Sequence, residues 1–154
     1  PISYYGKTKL LAEKYILTNK SKIIPCIGRI FSFTSKKQQK NFIIPSIILK
    51  LKNSNKKINF HNLNHDRDFL PIKHVVKAIK ILSTKRAKGI FNICSGEKTN
   101  LQNLTLKLNH KFKKHIEFSG NDKSSILFGC NRKISTLGWK PNNLSYSKIV
   151  LRDI

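Results

Sequence analysis

The chain has 154 residues, enough for one domain with a hydrophobic core, and its 31 lysine and arginine residues against seven acidic ones give a net charge of +24. No apolar run approaches the roughly 20 residues needed to cross a bilayer, and the first residues lack the apolar stretch of a secretion signal. We therefore expect a cytoplasmic protein with no membrane partner. Lysine is dispersed along the chain, which indicates a solvated surface more than a nucleic-acid interface, and the positive field would favour an anionic small substrate.

Apolar periodicity predicts helices that alternate with strands, which indicates an α/β fold with a largely parallel sheet in a single unit over residues 1–154. The expected helices are 4–18, 43–51, 72–83, 101–112 and 145–151. The expected strands are 23–33, 58–60, 68–71, 90–94 and 115–118. Residues 61–67 and 121–128 are predicted to be loops.

Three features carry more specific expectations. The first helix has an apolar stripe of Leu10, Leu11, Ala12, Tyr15 and Ile16, which indicates an amphipathic helix. The run 23–33 is β-branched and nearly uncharged, which is typical of a strand buried on both faces of a parallel sheet. Trp139, between a glycine and a proline, is predicted to anchor packing and not to bind a ligand.

The cysteines and histidines give no sign of a metal site. Cys26, Cys94 and Cys130 have no paired spacing and are predicted to be buried, reduced thiols. The five histidines share neither a metal-like spacing nor a face, so no metal is expected. The chain has no methionine and begins with Pro1, so we expect a fragment of a longer protein.

Tyr5 and Lys9 are four residues apart within the first predicted helix, so their side chains should be neighbours on one face. An ammonium beside a phenol favours the phenolate, which equips tyrosine to give or take a proton. Lysine is so frequent here that this spacing also suits an ordinary exposed amphipathic helix.

Five stretches of the chain occur in the order typical of one enzyme family. They are Ser3-x-Tyr5-Gly6-x-x-Lys9-x-x-x-Glu13, Arg29-Ile30-Phe31-Ser32-Phe33, Asn62 to Phe69 followed by His74-Val75-Val76, Phe91-Asn92-Ile93-Cys94-Ser95-Gly96, and Leu137-Gly138-Trp139-x-Pro141. Together they resemble the C-terminal half of an extended short-chain dehydrogenase/reductase, the family of nucleotide-sugar epimerases, dehydratases and reductases. The third and fourth stretches are most similar to GDP-6-deoxy-mannose reductases. Ser32 departs from the asparagine that is usual in the family.

The resemblance implies the C-terminal portion of a Rossmann-type NAD(P)-binding domain together with a small substrate-binding α/β subdomain, the N-terminal dinucleotide-binding half being absent. It implies that Tyr5 is the catalytic acid/base at the sugar C4 oxygen. It also implies that Lys9 holds the nicotinamide ribose and activates Tyr5. Arg67 would pair with the substrate diphosphate, and Phe42 and Lys50 would line the nucleotide pocket. The cofactor would be NAD or NADP, the substrate a nucleoside-diphosphate sugar, and the full-length protein a homodimer.

Alternatives remain open for several of these roles. Arg67 could instead pair with Asp66 or Asp68, Phe42 could be plain core, and Lys50 a solvated charge. The leading reaction is reduction of a 4-keto-6-deoxy nucleotide sugar, and 4,6-dehydration and epimerisation are its rivals within the family. A basic nucleic-acid-binding α/β module is the alternative of another class, and a degenerate homologue that uses the fold as a scaffold is the third. We expect this fragment to be inactive alone and to bind NAD(P) weakly or not at all.

Overall fold

A computed structural model describes residues 1, 3–19, 24–55, 57–121 and 123–141. Its helices are α1 (Tyr4–Thr18), α2 (Ile43–Asn53), α3 (Ile72–Thr84), α4 (Leu101–Phe112) and α5 (Arg132–Ser135). Its strands are β1 (Cys26–Ile30), β2 (Ser32–Thr34), β3 (Ile58–His61), β4 (His65–Arg67), β5 (Phe69–Pro71), β6 (Gly89–Ile93), β7 (Thr99–Asn100), β8 (Ile116–Ser119) and β9 (Ser125–Leu127). The helix expected at 145–151 lies outside the described residues.

Parallel pairing dominates the strands, which confirms the predicted α/β class. β1 pairs in parallel with β6, β2 with β5, and β3 with β8. β4 is the centre of a three-stranded sheet, antiparallel to β7 and parallel to β9. Each parallel pair is separated by a helix along the chain, as parallel connections require.

Two hydrophobic clusters pack the helices against these strands. The first joins α2, β3 and α4 and contains Ile44, Ile47, Leu51, Ile58, Phe60, Leu63, Phe69, Leu101, Leu104 and Leu108. The second joins α3, β5, β6 and α5 and contains Leu70, Val75, Ala78, Leu82, Phe91, Ile93, Ile134 and Trp139. Trp139 is fully buried and its indole N–H donates to the His74 carbonyl at 3.1 Å, so the predicted packing role is confirmed.

The first helix forms where it was predicted, and its apolar stripe is not buried. None of the residues of α1, all of which the structure describes, is buried. Leu11 is 65% exposed and Tyr15 is 71% exposed. Periodicity identified the apolar side of this helix, and none of the residues on that side is fully buried by the described part of the chain.

The strand predicted over 23–33 is also corrected. The structure places β1 at Cys26–Ile30 and a separate strand, β2, after Phe31. Of the five β1 residues only Ile27 is half-buried and the other four are exposed, and within the described ranges β1 pairs only with β6. The run is therefore not a strand buried on both faces here.

Two predicted loops contain strands. Residues 61–67 end β3 and form β4, and residues 121–128 include β9. Both β4 and β9 have three residues and are extended through strand pairing, β9 with β4 and β4 with β9 and β7, and not through an apolar alternation of their own. Sequence periodicity carries no signal for such short paired segments.

The cysteine prediction holds at one position and fails at two. Cys94 is buried, whereas Cys26 and Cys130 are exposed. Burial raises the pKa of the Cys94 thiol to about 12, and the Asp68 carboxylate adds to the shift. Hydrogen bonds from Arg132 lower the pKa of the Cys130 thiol. Apolar neighbours in sequence did not distinguish these environments.

Among the described helices, none is both long and apolar enough to cross a membrane.

Candidate functional site

The N-terminus of α1 is fixed by a helix cap. The hydroxyl of Ser3 accepts a hydrogen bond from the Gly6 N–H at 3.1 Å, which satisfies one of the unpaired donors of the first turn. Tyr5 and Lys9 follow on one face, and the Lys9 ammonium lies 5.4 Å from the centre of the Tyr5 ring. Tyr5 is 73% exposed, so its hydroxyl is open to a ligand.

Glu13, the last residue of the first motif, ties α1 to β1. Its carboxylate accepts hydrogen bonds from Arg29: Nε donates to both oxygens, at 2.9 and 3.2 Å, and Nη2 donates to one of them at 2.6 Å. These bonds hold the pKa of Glu13 below its ordinary value and raise that of Arg29. Arg29 is thus engaged in an ion pair that orients the helix bearing Tyr5 and Lys9.

A cavity of about 330 Å³ opens beyond the carboxyl end of β1. It is mostly apolar and includes Ser32, the residue that replaces the usual asparagine of the family. Phe42 lines it and is 47% exposed, so Phe42 lies where a ligand could contact its ring. The lining residues are Ile30, Phe31, Ser32, Phe33, Gln38, Phe42, Ile43, Ile44, Phe69 and Leu127.

A second cavity of about 350 Å³ lies between the 34–40 loop and α2. Gln38 and Ile44 line both cavities. The Gln38 amide N–H donates to the Phe33 carbonyl at 3.2 Å, and its side-chain oxygen is buried without a hydrogen-bond partner among the described residues. Nothing in the sequence around Gln38 distinguishes it from Gln39, so Gln38 could not be predicted as a site residue.

Lys50 does not line either cavity. Its ammonium donates to the Asn59 carbonyl at 2.6 Å and lies 5.0 Å from the centre of the Phe60 ring. These contacts place the charge against β3, on the side of α2 that packs on the first hydrophobic cluster.

Arg67 ends β4 and is held by neighbouring backbone and by β9. Its Nη1 donates to the carbonyls of Asp66 and Ser125, and its Nη2 donates to the Ser125 hydroxyl. The partners considered from sequence were the carboxylates of Asp66 and Asp68, and the observed contacts involve neither carboxylate. The guanidinium therefore keeps an uncompensated positive charge within the described part of the chain.

Asp68, suggested by the sequence as a partner for Arg67, instead accepts hydrogen bonds from distant parts of the chain. It is 1% exposed, and its carboxylate accepts hydrogen bonds from the Ser95 N–H and hydroxyl, both at 2.7 Å. It also accepts from the Gly96 N–H at 2.9 Å and the Gly129 N–H at 3.3 Å. One buried carboxylate thus joins the residue after Arg67 to the turn after β6 and to the segment after β9.

No group of three or more histidine, cysteine or acidic side chains within the described ranges could hold a metal ion.

The chain matches one family model, described as GDP-mannose 4,6 dehydratase, over residues 1–136. Curated proteins gave no significant match. Among solved structures, the chain resembles RMD from Pseudomonas aeruginosa, complexed with NADPH, with 21% identity and a TM-score of 0.82 over 99% of this chain and 56% of that one.

Two other solved structures show the same fold. UDP-N-acetylglucosamine 4-epimerase from Methanobrevibacter ruminantium, in complex with UDP-N-acetylmuramic acid, has 16% identity and a TM-score of 0.84 over 96% of this chain and 51% of that one. dTDP-glucose 4,6-dehydratase from Bacillus anthracis, in complex with NAD, has 17% identity and a TM-score of 0.77 over 92% of this chain and 48% of that one. The chain thus spans about half the length of the structures it resembles.

Proposed function

Because this chain belongs to the GDP-mannose 4,6 dehydratase family, within the extended short-chain dehydrogenases/reductases, we propose that it forms the acid/base and substrate-binding part of an NAD(P)-dependent nucleotide-sugar enzyme. The observation that carries the proposal is the exposed Tyr5–Lys9 pair on α1, with the ammonium 5.4 Å from the ring centre. The proposed substrate is a nucleoside-diphosphate sugar. The leading reaction is reduction of its 4-keto-6-deoxy form, and 4,6-dehydration and epimerisation are the alternatives.

The residues of α1 fit a nicotinamide cofactor. Lys9 has no acidic partner among the described residues, so its three N–H donors are open to ribose hydroxyls. When bound, NAD(P) would supply or accept a hydride at the nicotinamide ring. Tyr5 would give or take the proton on the sugar C4 oxygen, and the nearby ammonium would stabilise the negative charge that forms on the phenol oxygen.

The substrate-side residues fit a nucleotide diphosphate. Arg67 offers a planar guanidinium with a charge that no described carboxylate neutralises, and such a group binds phosphate oxygens in pairs. Phe42 lines the apolar cavity and could cover a base or sugar face. Lys50 stays a weaker candidate, because its ammonium is already hydrogen-bonded to Asn59.

Substitution of Tyr5 by phenylalanine tests the proposal, because it removes only the hydroxyl. In the complete protein that carries this chain, we expect Tyr5→Phe to lower kcat by about 10²–10⁴-fold with little change in nucleotide-sugar affinity. Turnover of the 4-keto-6-deoxy sugars is measured from NAD(P)H absorbance. Turnover of the GDP-, UDP- and dTDP-linked sugars is measured from the sugar product, because dehydration and epimerisation return the hydride to the sugar and leave the amount of NAD(P)H unchanged.

The helix provides its own matched control. Tyr4 is 89% exposed and Lys7 lies 5.7 Å from its ring centre, so a second tyrosine–lysine pair sits one residue away on another face. We expect Tyr4→Phe and Lys7→Met to keep full activity, and Lys9→Met to lose it. Equal turnover of Tyr5→Phe and wild type would contradict the assigned role.

A further inference from the structure

Counting hydrogen bonds on Arg67 shows which edge of its guanidinium is open. The group has five N–H donors. Three are used, because Nη1 donates to Asp66 O at 2.8 Å and Ser125 O at 3.0 Å, and Nη2 donates to Ser125 Oγ at 2.9 Å. Since Ser125 contacts both Nη1 and Nη2, it occupies the end of the fork between them. The donors left without a partner in the described residues are Nε–H and one Nη2–H, which share the side edge of the plane.

Arg29 shows how the same edge behaves when an oxyanion is present. Its Nε and Nη2 bind the two carboxylate oxygens of Glu13, at 2.9 and 2.6 Å. No carboxylate takes that position at Arg67 within the described ranges. The Asp66 carboxylate accepts from the Asn100 amide, and the Asp68 carboxylate is taken up by backbone N–H groups and a serine hydroxyl.

Ser125 is itself held in place. It begins β9 and pairs with His65 of β4 in the parallel register. Its N–H donates to the His65 Nδ1 at 3.1 Å, and its hydroxyl lies 3.0 Å from the same nitrogen. A fixed hydroxyl and a fixed carbonyl on one residue can therefore set the plane of the arginine that they contact.

We propose that Ser125 is a positioning residue that holds the end of the Arg67 guanidinium, so that the Nε–Nη2 edge presents two parallel N–H donors to one phosphate of a nucleoside diphosphate. This inference rests on the proposed function, in which the substrate carries a diphosphate. Loss of the Ser125 hydroxyl leaves the charge of Arg67 and its two Nη1 hydrogen bonds in place but removes the contact that holds Nη2. The plane of the guanidinium is then held less firmly, so paired donation to phosphate is weakened.

The test is calorimetric titration of the complete protein with GDP, UDP and dTDP and with the matching nucleosides, which lack phosphate. For the tightest diphosphate, we expect Ser125→Ala to weaken binding by about 5–10-fold and Arg67→Lys by at least about 10-fold. Ser124→Ala is the matched control, since Ser124 is the exposed neighbouring serine, and it should leave affinity unchanged. Binding of the nucleosides should be unaffected by all three changes.

A thermodynamic cycle separates positioning from general damage. In an Arg67→Lys background, Ser125→Ala should cost less than about 2-fold, because lysine has no plane to orient. Ser125→Thr should restore wild-type affinity and Ser125→Val should not, although the two side chains have nearly the same shape. Comparison of the threonine and valine variants shows whether the hydroxyl positions Arg67, even if the alanine variant unfolds.

The outcomes separate the two proposals. Failure of the wild-type protein to bind any nucleoside diphosphate would overturn the proposed function and this inference with it. Tight binding that Ser125→Ala and Ser125→Val leave unchanged would overturn the positioning role alone. Equal losses from Ser125→Ala in the wild-type and Arg67→Lys backgrounds would do the same.

Discussion

Two regions of the molecule carry the proposed site, and they are built in different ways. Tyr5 and Lys9 stand on α1, a helix with no buried residue, held to β1 through the Glu13–Arg29 ion pair. Arg67 stands at the end of β4, next to a fully buried carboxylate and above a hydrophobic cluster. The geometry of the first region is local to one helix, whereas that of the second depends on residues far apart in the chain.

This difference predicts where the free energy of folding resides. Packing of α2, α4 and the surrounding strands should dominate stability, because burial of apolar side chains is the main favourable contribution. Substitutions on α1 should affect turnover and change the free energy of unfolding only slightly. The substitutions below test this contrast, beginning with the largest expected effect.

Asp68→Ala should be the most destabilising change. It removes the acceptor for three backbone N–H groups and the Ser95 hydroxyl, and it leaves those donors in a part-buried site. We expect a loss of about 3–5 kcal/mol in the free energy of unfolding, measured by urea denaturation. Asp66→Ala is the control, since the Asp66 carboxylate accepts one bond from Asn100, and should cost about 1 kcal/mol. Similar losses for the two variants would show that the Asp68 network is not a tertiary anchor.

Leucines in the two regions give a matched pair. Leu104 of α4 is 1% exposed in the first hydrophobic cluster, and Leu11 of α1 is 65% exposed. Leu104→Ala should lower the free energy of unfolding by about 2–4 kcal/mol, through lost burial and the cavity left behind. Leu11→Ala should change it by less than about 0.5 kcal/mol. A large loss from Leu11→Ala would mean that α1 is packed against another surface in solution.

The sequence predicted features that depend on nearby residues. The Tyr5–Lys9 contact follows from helical spacing, and Trp139 stands out between glycine and proline. The Asp68 network could not be predicted in this way, because its donors lie 27, 28 and 61 residues away along the chain. For the same reason β4 and β9 could not be predicted, because they are extended through pairing with strands far away along the chain. Periodicity also cannot tell whether another surface covers an apolar face, so it did not predict whether α1 is buried.

The smallest expected effect concerns the ion pair that orients α1. The Glu13 side chain is 16% exposed but that of Arg29 is 46% exposed, so solvent screening limits the pair to less than about 1 kcal/mol. Its hydrogen bonds to Arg29 lower the pKa of Glu13 below the ordinary value of 4.5. A lowered pKa in the folded state means that the contribution is fully present above about pH 4.5. It is lost as the pH falls through the folded-state pKa.

Glu13→Gln measures this contribution. The difference in unfolding free energy between wild type and variant should be constant from pH 7 down to about 5, and should then shrink toward zero at lower pH. High salt should reduce this difference in unfolding free energy at pH 7.

Glu117→Gln is the control in the packed region, since Glu117 pairs with Lys57 on an exposed strand face. Because Glu13 connects α1 to β1, Glu13→Gln alone should also lower kcat, through looser placement of Tyr5. An unchanged kcat would show that α1 keeps its orientation without the ion pair. A contact other than the Glu13–Arg29 pair would then have to orient the helix.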